Sequence, residues 1–493
     1  MRSGVTWLPA GPLLAAIVLL ALLRGVVAAS IDLSDDEAYY RLWALAPALS
    51  YLDHPPMVAW LIAAGRRIAG DTPLAIRLAA VLTSLLGPLL LWRTVAILFG
   101  AEVARRAVLM ALAMPLITVG GIIITPDMPS VLFWGLTGWA LAELSVSRAA
   151  NWWLAVGLFA GLGLLSKYTN LFVGAGILMW LVGRRENWRW FSCWQLWAGG
   201  AISVLIALPV VLWNWAHDWA SFHKQFGRVV REQNLAPSYL LEMAGSYLAL
   251  ASPIIAVLAL VGLGSVLAAA VRRRDQASLL LVAGMLPLLL YFLVHALHAR
   301  VQPNWLAPLY PSLAAAAAIA ASTPWPRRGV DRMPWLVAAA LVLGVLLSGL
   351  LCAHAVHPLV LSGKDPSNQM RGWPAFAQEI ERLRQAHGAC SVATSHYTIT
   401  AQLAYHLPSA VAVLPLNEPL RYQHLAPVAA AGLRCPALYV ELARRPLLAG
   451  LGTRFASIVP LGLFSRRYRD APIADYKIML LAEPLAPLAA VRR

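Results

Sequence analysis

Residues 34–57 read SDDEAYYRLWALAPALSYLDHPPM, placing four acids, three tyrosines, a histidine and a Pro-Pro corner between two apolar runs. The first of those runs is long enough to span a membrane, which points to chemistry at a membrane surface. Asp35, Asp36 and Glu37 sit just beyond it, where desolvating carboxylates is costly unless they meet cations, a proton or a polar ligand. An acidic N-cap for a short interfacial helix starting near Ala38 accounts for them equally well. Asp53-His54-Pro55-Pro56 favours the chemical reading, because the prolines restrict the backbone and so direct the two polar side chains ahead of them. Two prolines also suit a simple helix start.

Composition sets the class. Hydrophobic residues make up 60% of the 493, charged residues only 13%, and there are 20 tryptophans, so an α-helical polytopic membrane protein is expected. The formal net charge of +16 does not imply nucleic acid, since many arginines fall in short clusters between apolar runs and so report topology. Four cysteines without metal-ligand spacing argue against a zinc finger or a disulfide scaffold. The run at 7–29 exceeds a signal-peptide core and is expected to be retained as a helix.

Apolar spans are expected at 7–29, 73–98, 107–124, 128–146, 151–166, 168–183, 197–215, 244–270, 278–297, 305–322 and 333–355, about eleven on the ~20-residue criterion. With the N-terminus inside, the cytoplasmic connections hold Arg105 and Arg106, then Arg148, then Arg184, Arg185 and Arg189, then Arg272 to Arg274, then Arg327, Arg328 and Arg332. Every even-numbered span then ends in a basic loop, as retained loops do. Arg66, Arg67, Arg228 and Arg231 fall on the other side, so the rule acts as a bias. The outer connections contain residues 34–57, Thr125-Pro126-Asp127, Ser166-Lys167-Tyr168, 217–234 and 295–304, and with them most acids, histidines and amides of the membrane boundary. An active site is expected to face the periplasm or exterior.

Lys167 interrupts the apolar stretch GLGLLSKYTNLFVGAG, so its head group lies at or just under the outer interface. It either snorkels to lipid phosphates or serves as a fixed cation for a phosphate ligand. Asp127 either caps the fourth span or is a working carboxylate. Asp36, Asp127 and Lys167 on one side make a stronger case than any alone. Transfer from a phosphate-linked donor needs a base for the acceptor hydroxyl and positive charge for the leaving phosphate.

These motifs carry a resemblance. The sequence resembles the GT-C glycosyltransferases of the bacterial membrane, in the protein O-mannosyltransferase-like group that includes 4-amino-4-deoxy-L-arabinose lipid A transferases and rhizobial lipopolysaccharide galacturonosyltransferases. Asp36-Glu37 with Ala38-Tyr39-Tyr40 looks like the first-loop Asp-Glu motif, and Asp53-His54-Pro55-Pro56 like the acidic-basic-Pro-Pro motif, with His54 where the arabinose transferases carry a lysine. Thr125-Pro126-Asp127 resembles the second-loop aspartate motif, Ser166-Lys167-Tyr168 the loop lysine, and Asn304-Trp305 with Tyr310 a later Asn-Trp…Tyr signature. The likeness covers residues 7–320 in order and spacing.

The resemblance implies an inverting transferase with an isoprenoid-phosphate (undecaprenyl-, dodecaprenyl- or dolichyl-type) sugar as donor and a lipid A, lipopolysaccharide or other extracytoplasmic glycolipid as acceptor. It implies a multi-pass protein of the bacterial inner membrane with a periplasmic active site. Asp36, Glu37 and Asp127 would be catalytic, with Asp36 the leading base, and Lys167, His54 and Arg300 would bind the donor phosphate. Asp53, Tyr40, Asn304 and Tyr310 would position donor or acceptor. A neutral imidazole at 54 supplies no charge at neutral pH, which departs from the lysine pattern. Tyr39 and Tyr40 also suit interface anchors. No cofactor is certain; should a divalent metal take part, Asp53, His217 and His223 are candidate ligands, although a lone loop histidine is more often simply solvated.

Beyond residue 356 short β-like runs, CSVAT, AVAVL, ALYVEL and KIMLLAE, alternate with helix-compatible stretches such as TAQLAYHL. The expectation is a transmembrane GT-C-like domain over 1–355 and an extracytoplasmic α/β domain over 356–493 that covers the site or recruits the acceptor. Cys390 and Cys435 flank two of the strands, and their pairing stays open. The alternative function is a polytopic transporter or flippase of lipid-linked sugars, but a transporter should carry broken helices in related halves near the midplane, and none are evident.

Overall fold

The computed structural model describes residues 7–231, 235–323, 333–360, 363, 365–425 and 435–485. Arg327, Arg328 and Arg332 of the last expected basic loop, and the end of the 217–234 connection, lie outside them. The chain divides into two compact units. One comprises Met1–Ala28, Asp53–Val58 and Arg77–Ala353; the other comprises Ala29–Leu52, Ala59–Ile76 and His354–Arg493. The stretch at 34–57 is thus shared between them.

The described residues of the first unit are mainly helical, as a segment in hydrocarbon must be if each backbone N–H and C=O is to find a partner within its own chain. Among the described residues seven helices are long and apolar enough to cross a membrane: Gly11–Ser30, Pro73–Phe99, Trp194–Ala216, Pro253–Arg272, Gln276–His295, Pro303–Ser322 and Met333–Val356. The other expected apolar stretches are also helical, as Ala101–Ala113 with Pro115–Gly120, as Asp127–Ser147, and as the short apolar Trp152–Leu164 and Tyr168–Val182. Two more expected spans are interrupted: 278–297 falls on Gln276–Ala283 and Leu286–His295, and 244–270 is broken as well. Residues 244–270 fall on two helices, Ser238–Ala251 and Pro253–Arg272, because Ser252 adopts a φ of 67° and Pro253 brings no N–H to continue the ladder.

Leu19, Leu22, Val26, Val204 and Leu205 are exposed, as lipid-facing side chains are. Small residues lie inward. Ala314 to Ala318 are all buried, and a Cβ at Gly262 would stand 1.9 Å from the carbonyl oxygen of Ala316. Gly157 and Gly199 pack in the same way, the Cβ of the former falling 2.0 Å from the Gly199 oxygen. In lipid the attraction between helices is packing itself, so absent side chains set how closely two backbones approach. Gly262→Val should therefore lower the thermal midpoint in detergent by at least the ~1–3 kcal/mol equivalent of ordinary overpacking, because the obstructing atom is backbone. Gly264→Val, where a Cβ meets nothing within 4 Å, should leave it unchanged; equal losses at both positions would refute the close-approach account.

The second unit contains a five-stranded sheet in the order β2-β1-β3-β5-β4. Strands β1 (Ser391–Thr394), β2 (Ala412–Pro415) and β3 (Ala437–Leu442) are parallel, and β5 (Ala471–Pro484) runs antiparallel to β3 and to β4 (Phe455–Tyr468). Four strands lie on the runs expected from sequence, but β4 was not anticipated. Pro460 and Gly462, the latter at φ 129°, interrupt its alternation where the register shifts, and an edge strand tolerates this. Cys390 and Cys435 pair as a disulfide with Cα atoms 5.7 Å apart, tying the start of β1 to the approach to β3. The helices Asp35–Leu45 and Tyr397–His406 pack together in this unit.

Candidate functional site

In the first unit the polar residues converge on Asp127. It is the first residue of its helix, and Pro126 before it offers no side-chain cap, so the carboxylate is available for other contacts. Lys167 Nζ lies 2.5 Å from Oδ1, while Oδ2 accepts hydrogen bonds from Asn304 Nδ2 at 2.7 Å and Thr125 Oγ1 at 3.4 Å. Lys167 and Asp127 are both buried, which answers the snorkelling alternative: the lysine head turns inward to an acid. Neighbouring contacts draw the other motifs in. The Met57 N–H, just after the Pro-Pro corner, donates to Leu165 O at 2.9 Å, and Tyr168 Oη and Ser221 Oγ share a 2.7 Å hydrogen bond.

Ser221 lies on the helix Ala220–Arg231, which brings Lys224 to Asp53 at 2.8 Å and Gln225 Nε2 to the Asp53 carbonyl at 2.5 Å. His54 follows Asp53, half-buried. Lys224 was missed from sequence. The signal was the lysine in NWAHDWASFHKQFGR, where attention went to the two histidines. It provides a cation beside a motif whose own basic residue is an imidazole.

The remaining candidates of this unit have other partners. Arg300 pairs with Glu242 at 2.8 Å on largely exposed side chains. Tyr310 is buried in the apolar core with its ring 6.1 Å from that of Tyr247. His217 stacks on Trp213, and its Nδ1 is 2.6 Å from the Trp213 carbonyl; the side chain of His223 is exposed. Asp53 is engaged by Lys224, and among the described residues no three His, Cys, Asp or Glu side chains stand together as a metal site.

In the second unit the helix Asp35–Leu45 starts earlier than expected, and its N-cap is Ser34, not an acid. Glu37 closes a capping box. Its carboxylate accepts from the Ser34 N–H and Oγ, both at 3.0 Å, while its own N–H donates back to Ser34 Oγ, and the residue is fully buried. Glu37 thus starts the helix. Tyr39 and Tyr40 are buried among Trp43 and Tyr397, so neither is an interface anchor. Asp36 Oδ1 accepts from Tyr397 Oη at 3.3 Å, and Asp35 Oδ1 from Gln402 Nε2 at 3.0 Å. Nothing in the sequence marks Tyr397 or Gln402, because they come from a helix some 360 positions away.

Burial pushes the Asp35 carboxyl up to about 6, against the Gln402 hydrogen bond and the charge of Arg466, which pull it down. A raised pKa means that the fold favours the protonated form. Asp35 thus adds stability below its ordinary value of 3.8, and that contribution is lost as pH rises through about 6. Asp35→Asn should flatten the fall in thermal midpoint across this window. A slope unchanged by the substitution would remove Asp35 as its source.

Comparison with known proteins adds the following. Residues 53–213 match the family described as dolichyl-phosphate-mannose-protein mannosyltransferase. The chain is 25% identical over 409 residues to the lipid A galacturonosyltransferase RgtD of Rhizobium johnstonii, covering 80% of this chain and 82% of that protein. The crystal structure of ArnT from Cupriavidus metallidurans bound to undecaprenyl phosphate superposes with a TM-score of 0.66 at 16% identity, covering 95% of this chain and 98% of that one. The same protein in its apo state gives 0.63 at 15% identity, with the same coverage. The chain therefore has the fold of the GT-C membrane glycosyltransferases, with residues 53–213 matching their protein-mannosyltransferase family.

Proposed function

We propose that this protein is an inverting glycosyltransferase that moves a sugar from an isoprenoid-phosphate donor to lipid A or a related extracytoplasmic glycolipid. The observation that carries the reading is the pair of acid-held lysines, Lys167 on Asp127 and Lys224 on Asp53, within or tied to the segment that matches the mannosyltransferase family. The relatives support the chemistry: one is named for galacturonosyl transfer to lipid A, and the other was solved with undecaprenyl phosphate. Neither relative supports a transporter or flippase.

Asp36 takes the proton of the acceptor hydroxyl as its oxygen attacks the anomeric carbon. The bond from that carbon to the phosphate oxygen breaks with inversion, and the isoprenoid phosphate leaves with its charge met by Lys167 and Lys224, His54 beside them. Asp127 and Asn304 hold Lys167 in place. Residues 1–355 form the membrane catalytic part and 356–493 a periplasmic α/β domain. The Cys390–Cys435 disulfide supports the periplasmic side, since such bonds persist in oxidising compartments.

Single-turnover transfer to lipid A, with undecaprenyl phosphate carrying galacturonic acid or 4-amino-4-deoxy-L-arabinose as donor, tests the roles. Asp36→Asn should lose about 10²–10⁴-fold in rate at unchanged donor affinity, as removal of a general base does. Lys224→Met, and Lys167→Met made together with Asp127→Asn to avoid an unpaired buried acid, should each weaken donor binding about ten- to a hundredfold. Full activity in all three variants would refute the assignment.

The sidedness has its own test. With Cys193 and Cys352 replaced by serine, Ser457→Cys in the exposed face of β4 should react with a membrane-impermeant thiol reagent in intact spheroplasts, and Ala149→Cys should not. The reverse pattern would overturn the periplasmic placement.

A further inference from the structure

Asp36 and Asp35 are adjacent carboxylates that one helix treats differently. The helix Tyr397–His406 follows β1, and its first residue donates its phenol O–H to Asp36 Oδ1 at 3.3 Å. Gln402, five residues on, donates to Asp35 Oδ1 and to the Leu33 carbonyl, each at 3.0 Å. The Tyr397 ring is itself fixed, packed 4.9 Å from the Tyr39 ring and 4.9 Å from that of His396. Arg421 lies over it at 4.8 Å and over Tyr39 at 5.6 Å, donates to the Tyr39 oxygen at 3.2 Å, and is held from behind by Glu418 at 2.7 Å.

We propose that Tyr397 is a positioning residue for Asp36: its O–H fixes the carboxylate and favours the ionised form that takes the acceptor proton. The inference rests on Asp36 being the base. A hydrogen bond donated to a carboxylate stabilises the charged form, and a guanidinium stacked on the phenol makes it a stronger donor. Tyr397 keeps its own proton throughout; the proton that moves passes from the acceptor oxygen to Asp36 as the new glycosidic bond forms and the sugar–phosphate bond breaks. The C-terminal α/β domain then takes part in catalysis, because it supplies the group that holds the base.

The charged and titratable groups around Asp36 include Asp35, Glu37 and Tyr39 of its own helix, Tyr397 with His396 beside it, and Arg421 backed by Glu418; Arg466 of β4 acts on Asp35. Asp35 is the neighbour whose titration would blur the profile, and burial also depresses His396 to about 4, so its ring is neutral across the useful range. The test is therefore made in an Asp35→Asn background with the purified full chain, undecaprenyl-phosphate galacturonic acid and lipid A. Tyr397→Phe keeps the ring stack and loses only the O–H. The acid limb of kcat/KM against pH should move up by about one unit, giving about a tenfold loss on that limb, near-normal rates on the plateau and an unchanged donor KM. Arg421→Gln should move the limb in the same direction by less, and serves if Tyr397→Phe does not fold. An unmoved acid limb in the folded variants, whether or not the plateau falls, overturns the inference. Asp36→Asn keeps the premise separate: if it is inactive while the limb is unmoved, only the role of Tyr397 fails, and if it is fully active, the reading of Asp36 fails first.

Discussion

A lysine in an apolar stretch of a membrane protein has to be neutralised, and Lys167 is neutralised by Asp127. That one requirement joins segments far apart in the chain, since Asn304 completes the carboxylate, Leu165 beside the lysine receives the Met57 N–H, and Tyr168 meets Ser221. Buried ion pairs add little net stability but punish every arrangement that leaves one partner alone. The pair therefore acts as a specification of loop geometry: the connections that carry Asp127, Lys167 and Asn304 are held in one register around it. The second pair, Asp53 with Lys224, repeats the principle at partly exposed side chains.

The acids of the first connection obey a different constraint. Asp35 and Asp36 lie in the same unit as residues 354–493, and their hydrogen-bond partners come from a helix of that C-terminal part. The capping box of Ser34 and Glu37 starts their helix, and Asp53 to Val58 belong to the other unit. A single polar connection thus contributes residues to both units.

Between the helices of the membrane part, the determinant is what side chains leave out. Gly262 on Ala316 and Gly157 on Gly199 allow backbones to approach to a distance that any Cβ would block, while large aliphatic residues face outward. Hydropathy measures how apolar a helix is and not which neighbour it touches. The same alanine-rich run would read identically in a loosely packed span.

Composition, the lengths of the apolar runs and the basic loops determined by themselves that this is a helical membrane protein, because lipid admits so few backbone solutions that hydropathy almost specifies the class. The order of the short motifs sufficed for the resemblance that the match over residues 53–213 bears out, and Asp127, Lys167 and Asn304 were legible as polar residues that an apolar boundary would not otherwise hold. The break at Ser252 and the bulged strand β4 were not legible, since each is a local backbone choice that interrupts an otherwise continuous pattern. Only the tertiary structure decided that Glu37 caps a helix, that Lys224 stands on Asp53, and that Tyr397 and Gln402 divide the two aspartates between them. Those are contacts between residues up to hundreds of positions apart, and spacing along a chain carries no information about which distant side chain will complete a carboxylate's hydrogen bonds.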